Sequence, residues 1–349
     1  METFWFGAVT LMLAVYVVLD GYDFGVGIVS PLVARTDEER RLVLAAIGPV
    51  WSGNEVWLIA AGAVLFLAFP KAYAAGFSGF YLALIIVLWL LMGRGLAIEL
   101  RGHLDHPLWR QFWDVVFAVT SALLAIVFGA ALGNLVRGVP LNAEGYFFVA
   151  LWTDFLPGPE PGILDWFTLL LALTSVVLLT LHGANFLAMK TTNELQARAR
   201  RVARLTGYAT VLLVASVLPV LSLVQPSLRL NYDAHPTGYG LPLIALAALI
   251  AVQVFRAQAR DVAAFTASSL LLFGLLGGLA WGSYPNILIA TTDPAHSLTV
   301  TNASAGSEGL QAAFWWFTIG LTTVIAYQIC IHRLFWGPVK PGSGDFSAH

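Results

Sequence analysis

Nine long runs of apolar residues, near 4–30, 44–68, 76–100, 111–136, 163–188, 205–225, 241–256, 262–284 and 310–334, constrain this chain more than any other feature. With 58% hydrophobic and 11% charged residues over 349 positions, there is too little polar surface to clothe a soluble globule. A bilayer core about 30 Å thick is crossed by roughly 20 residues of helix rising about 1.5 Å each. Backbone in hydrocarbon must satisfy its own hydrogen bonds, which leaves helices or closed barrels. The runs are continuous rather than alternating strands of about ten residues, so they are read as helices. The prediction is an all-α polytopic membrane protein with about nine transmembrane helices, compatible with two four-helix bundles plus one extra helix. Residues 1–337 are expected to form a single transmembrane domain and 338–349 a mobile cytoplasmic tail.

The basic residues orient the bundle. With the amino terminus outside, fourteen lysines and arginines fall in cytoplasmic connections, against Lys71, Arg137 and Arg229 outside and Arg94 within a span. That places the carboxyl terminus in the cytoplasm. Topology accounts for the basic residues, and a net charge of −2 leaves no basic stripe for nucleic acid. The first run has no positive prefix and carries Asp20, Gly21 and Asp23, so it is expected to remain as a helix rather than act as a cleaved leader. The proline-rich loop 137–162 and the Ser/Thr/Asn-rich loop 284–309 are expected to cap the outer end. Cys330 is the single cysteine, which excludes an internal disulfide or thiolate cluster.

Ionisable groups inside the spans are costly and therefore mark candidate functional positions. Asp20 and Asp23 lie three residues apart on one helical face, flanked by Gly21 and Gly25, whose spacing permits close helix approach. They either tie neighbouring helices together or handle protons or ions. Glu55, in Trp51-Ser52-Gly53-Asn54-Glu55-Val56-Trp57, stands about eleven residues, or roughly 16 Å, inside the second run, near the bilayer midplane. Ser52 is placed to share a hydrogen-bonded chain with it. Trp51 and Trp57 lie too deep for an interfacial belt and are read as packing residues. The third run ends with Arg94, Glu99 and Arg101. Arg94 needs an anionic partner, expected to be Asp23, Glu55 or a group on a neighbouring subunit.

A haem-bearing bundle would want deep histidine or methionine axial ligands. His182 alone among seven histidines lies well inside a run, and Met12 and Met92 are the clearly internal methionines. No cofactor or metal site is expected in this chain. His182 is read as a helix-to-helix hydrogen-bond partner.

The stretches Asp20 to Gly27, Gly48-Pro49-Val50-Trp51 through Trp57, Phe77 to Tyr81, Gly129 to Gly138, His182-Gly183-Ala184, Pro285-Asn286, Ser297-Leu298-Thr299 and Asn302-Ala303-Ser304 follow one another in an order that resembles subunit II of the cytochrome bd quinol oxidases. The resemblance implies a haem-free respiratory-chain subunit of the bacterial cytoplasmic membrane. Its partner would be a subunit I that holds two b-type haems, one d-type haem and the site of quinol oxidation. Small single-helix accessory subunits, lipid and quinone are further partners that the resemblance allows. It also implies that acids of the first two helices line part of a proton route from the cytoplasm, which assigns that role to Asp20, Asp23, Ser52 and Glu55. Family members commonly carry an aspartate directly after the tryptophan where this chain has Ser52, so Glu55 is expected to supply the titratable group there. Arg94, Glu99, Trp51, Trp57 and His182 remain charge partners or structural residues.

Two other classes fit part of this pattern. An ion-coupled transporter would also place acids near the midplane, but would want broken helices at matched positions in two halves, and only Gly48-Pro49 reads as such a break. A purely structural anchor would not need Asp20, Asp23, Glu55 and Arg94 together.

Overall fold

A computed structural model describes residues 1–339. Its helices are α1 (Glu2–Val33), α2 (Asp37–Ile47), α3 (Trp51–Ala68), α4 (Pro70–Gly79), α5 (Tyr81–Leu100), α6 (Pro107–Arg137), α7 (Trp166–Lys190), α8 (Asn193–Val224), α9 (Leu228–Ala234), α10 (Gly240–Ala257), α11 (Asp261–Ser283) and α12 (Ser307–Leu334). Among the described residues, nine helical segments are long and apolar enough to cross a membrane. Helices α1, α3, α5 and α6 pack as one group and α7, α8, α10 and α11 as another, joined chiefly through α1, α6 and α7. Helix α12 rests against α3 at the edge of the first group.

Four expected spans have different bounds. The run 44–68 is two helices, because Pro49 lacks the N–H that would continue α2 and the chain turns through Gly48–Val50 before α3 begins. Helix α2 starts with a capping box, in which Glu39 N donates to Thr36 Oγ1 at 3.2 Å and Thr36 N donates to Glu39 Oε2 at 3.3 Å. The run 76–100 is divided at Phe80 into α4 and α5. The run 205–225 belongs to a longer helix, α8, that begins at Asn193 and carries Arg198, Arg200, Arg201 and Arg204 beyond the apolar portion. The short run 241–256 gains length from the 3₁₀ turn Pro236–Tyr239 that precedes α10.

The centre of the bundle depends on missing side chains. A Cβ on Gly25 of α1 would lie 2.7 Å from both N and Cα of Gly183 on α7. Backbones can approach this closely only where neither residue has a side chain.

The two long loops meet at one end. Strand β1 (Asn286–Leu288) pairs antiparallel with β2 (Leu298–Thr299), and Val139 exchanges backbone hydrogen bonds with Ile289 and Thr291 at 2.9 and 3.0 Å. Trp5, Phe69, Leu141, Phe147, Leu298 and Leu310 form a buried cluster beneath them. Arg137, at the end of α6, donates to Asp165, to Gly162 O at 3.1 Å and to Asn134 Oδ1 at 2.7 Å, which locks the loop onto the start of α7. At the opposite end, Arg101 donates to Asp114 at 2.5 Å and to Asp37 at 2.8 Å, Arg40 donates to Asp114 at 3.0 Å, and Arg198 pairs with Glu39. Of the expected tail, residues 340–349 lie outside the described residues, while Val339 N donates to Lys190 O at 2.8 Å.

Candidate functional site

Asp20 and Asp23, one turn apart on α1, are fully buried and face two different neighbours. Arg94 of α5, also fully buried, donates Nη1 to Asp20 Oδ1 at 2.5 Å and Nη2 to Glu55 Oε2 of α3 at 3.2 Å. Its guanidinium lies 4.6 Å from the centroid of the Phe24 ring, one turn beyond Asp20 on α1. Three helices are therefore tied through one cation. Arg94 is six residues short of Leu100, which puts the cluster about 9 Å from that end of α5 by helical rise.

The sequence offers Asp23, Glu55 or a group on a neighbouring subunit as the partner of Arg94; the structure pairs it with Glu55 and, in place of Asp23, with Asp20. Helical phase is the reason: Asp20 and Phe24, four residues apart, share the stripe that faces Arg94. Asp23 is turned toward α3. It accepts from Asn54 Nδ2 at 2.9 Å, and the same nitrogen donates to Tyr22 Oη at 2.7 Å. Asn54 Oδ1 in turn accepts from Gln328 Nε2 of α12 at 2.7 Å. Asn54 is fully buried and uses both its amide groups, so it is the central junction between α1, α3 and α12.

The depth expected for Glu55 also changes. With α3 beginning at Trp51, Glu55 is four residues, or about 6 Å, from the start of its helix rather than eleven residues in. Its side chain keeps 23% of its surface exposed, so of the three acids it is the one with an open edge. Ser52 does not join Glu55. Ser52 is exposed and makes no side-chain hydrogen bond among the described residues. Glu99 is likewise exposed, and its carbonyl, not its carboxylate, receives His103 at 3.0 Å.

The tryptophans pack. Trp57 is buried, and the Trp51 ring covers Gly95 on α5, where a Cβ would sit 3.3 Å from it. Gly53, between them, faces Tyr327 and Gln328 and so admits α12. His182 is fully buried. Its Nε2 meets Val18 O of α1 at 2.9 Å and its Nδ1 meets Ser268 Oγ of α11 at 2.7 Å. Both ring nitrogens are occupied, a geometry that suits a tie between three helices and leaves no lone pair for a haem iron. Among the described residues no group of three or more His, Cys, Asp or Glu side chains could hold a metal ion.

Tyr22, Asn54, Gln328 and His332 are the site residues that sequence reasoning missed. A polar amide at position 54, inside an apolar run and next to Glu55, was the available signal. Asp20 Oδ2, Asp23 Oδ1 and Arg94 Nε have no hydrogen-bond partner among the described residues. Buried polar atoms rarely stay unsatisfied, and a site this polar suits bound water. Two carboxyls face one guanidinium and a third stands one turn away on α1, so the cluster reaches neutrality with two protons on its acids. The arrangement can hold protons and pass them between neighbouring oxygens.

The family model for cytochrome bd terminal oxidase subunit II matches residues 1–335. Cytochrome bd ubiquinol oxidase subunit 2 of Bacillus subtilis is 32% identical over 95% of this chain and 94% of its own length. Cytochrome bd-I ubiquinol oxidase subunit 2 of Escherichia coli K12 is 28% identical over 95% of this chain and 93% of its own. A chain in the structure of bd oxidase from Geobacillus thermodenitrificans superposes with a TM-score of 0.75 at 20% identity, covering 96% of this chain and 98% of that one, and so shares the fold.

Proposed function

The chain belongs to the cytochrome bd terminal oxidase subunit II family, and from that premise we propose that it is the haem-free subunit of a membrane quinol:dioxygen oxidoreductase, supplying cytoplasmic protons for the reduction of O₂ to water. Its partner is the haem-bearing subunit I, whose two b-type haems and d-type haem carry electrons from quinol to oxygen. This chain's own residues hold and move protons, and its helices support the partner. Lipid, quinone and single-helix accessory subunits are further occupants of its apolar outer surface. The membrane is the bacterial cytoplasmic membrane, with the amino terminus outside and the carboxyl terminus inside, as the basic loops require.

The observation that carries this reading is the buried chain Glu55–Arg94–Asp20, with Asp23 one turn away on α1. Charge of this kind within spanning helices is expensive to maintain and marks an ion or proton path. Glu55, with its open edge, is the entry of that path, and Arg94 holds Asp20 and Glu55 at fixed positions so that a proton arriving at one lowers the cost of releasing one from the other. Asp20 and Asp23 then form the inner store. The transporter alternative has less support, since the helix breaks at 48–50 and at Phe80 both fall in the first group, while α7, α8, α10 and α11 are each continuous.

Glu55→Gln in the assembled complex tests the proposal. Quinol-dependent oxygen consumption and proton uptake should fall together, by about tenfold or more, with haem content unchanged. Wild-type turnover and wild-type proton uptake in that variant would remove Glu55 from the path.

A further inference from the structure

The last helix carries a titratable group, unused by the Glu55 path, to the neighbourhood of buried Asp23. His332 lies near the end of α12 that also carries Arg333, half-buried, with an edge open to the surface. Its Nδ1 meets Gln328 O, one turn back, at 2.9 Å, and its Nε2 meets Tyr22 Oη of α1 at 3.2 Å. A carbonyl can only accept, so Nδ1 carries the hydrogen in the neutral ring and Nε2 presents its lone pair to the Tyr22 hydroxyl. Tyr22 Oη is also an acceptor, for Asn54 Nδ2 at 2.7 Å, and that nitrogen reaches Asp23 Oδ2 at 2.9 Å. Two oxygens bound to one amide nitrogen at such lengths stand about 5 Å apart, the span of a single bridging water.

The parts on either side are fixed. Tyr22 is fully buried and stacks on Phe186 at 4.1 Å between ring centroids, so its oxygen is held in place while the O–H bond can still rotate. Gln328 acts twice, its carbonyl orienting His332 and its side chain orienting Asn54. Lys190, at the end of α7, is the charged side chain that faces His332 from a neighbouring helix, and its Nζ is anchored on Phe335 O at 2.6 Å. A simple dock of α12 onto α1 and α3 would require only the Gln328–Asn54 amide pair. The added line from an accessible imidazole to a fully buried carboxyl, whose Oδ1 has no partner among the described residues, is surplus to docking.

We infer that His332 is a second proton-loading residue, delivering to Asp23 through the Tyr22 hydroxyl protons that Glu55 does not deliver, so that turnover needs both lines. This inference rests on the proton-supply reading above. Nε2 takes a proton from the inner aqueous phase, the Tyr22 O–H turns toward the bridging water, and the Nε2–H then moves to Tyr22 Oη. Tyr22 in the same step releases its own hydrogen through the water to Asp23. Asn54 positions the line without carrying the proton, since an amide has no proton to relay at ordinary cost.

The test uses the assembled complex with its haem spectrum as the check on integrity, and compares His332→Gln, Tyr22→Phe, the double variant and Glu55→Gln. His332→Gln and Tyr22→Phe are each expected to slow oxygen consumption and proton uptake several-fold, with the double variant no slower than the slower single one, as for two steps in series. In His332→Ala, added imidazole should restore much of the lost rate, a rescue that a purely structural role would not permit. Wild-type rates in both His332→Gln and Tyr22→Phe while Glu55→Gln is slow would overturn the inference and leave the proton-supply reading standing. Wild-type rates in all of them would overturn both. A slow His332→Ala that imidazole does not restore, beside a normal His332→Gln, would reduce His332 to a docking residue.

Discussion

Replacing Arg94 by methionine keeps most of the side-chain volume and removes the charge. Asp20 then loses a 2.5 Å partner and Glu55 a 3.2 Å one, at a site where Arg94 and Asp20 are both fully buried. Breaking a buried pair from one side costs about 3–5 kcal/mol, because the remaining charge must be neutralised or hydrated in place. Loss of the cation from the face of Phe24 accounts for about 1–2 kcal/mol of that. For a chain of this size the penalty corresponds to a fall of about 4–7 °C in the midpoint of thermal inactivation of the detergent-solubilised complex. The sign of the next step is diagnostic. Adding Asp20→Asn and Glu55→Gln to Arg94→Met removes the stranded acids, and the midpoint should recover to within about 2–4 °C of wild type. Arg94→Met with an unchanged midpoint, or a triple variant less stable than the single one, would refute the view that the ion pairs hold these three helices together.

Two further expectations follow from other parts of the fold. Gly25→Ala places a methyl group against Gly183 backbone, where neither helix can yield without separating, and should cost about 1–3 kcal/mol or more, seen as a lower yield of assembled complex, with Gly183→Ala behaving alike. At the Arg-rich end, burial raises the Asp37 and Glu39 carboxyls, but Arg101 beside Asp37, and the Arg35 N–H with Arg198 beside Glu39, outweigh it and hold both below their ordinary values. Their folded-state values being depressed, the stability they contribute is present above the ordinary carboxylate value of about 4 and is lost as pH falls below it. Thermal inactivation measured from pH 6 down to pH 3 should therefore show an acid loss that is smaller in Asp37→Asn, and smaller again for both proteins in high salt.

How the sequence encodes the site is uneven. Asp20, Asp23, Glu55 and Arg94 were all legible, since an ionisable residue in an apolar run stands out whatever its partners. Their pairing was not. Arg94 reaches Asp20 rather than Asp23 because of the angular phase of α1 against α5, which spacing along one helix leaves undetermined. The Ser52 hydroxyl and the Glu99 carboxylate looked equivalent to their buried neighbours on paper, and the packed helices turned both outward. His332 read as a residue at a helix end and became a contact of Tyr22, 310 positions away, because α12 returns beside α1.

By itself the sequence determined that the chain spans a membrane as helices, since apolar length and the need to satisfy backbone hydrogen bonds in hydrocarbon depend on composition along a single segment. It also showed the break at Gly48-Pro49, since Pro49 acts locally, although the run 44–68 was read across it as one span. Only the tertiary structure decided which acid meets Arg94, that Asn54 joins three helices, and that the loops after α6 and α11 form one cap through Val139. Those outcomes depend on the rotation and order of helices about one another, and these are set by summed packing over the whole bundle rather than by any residue's own chemistry.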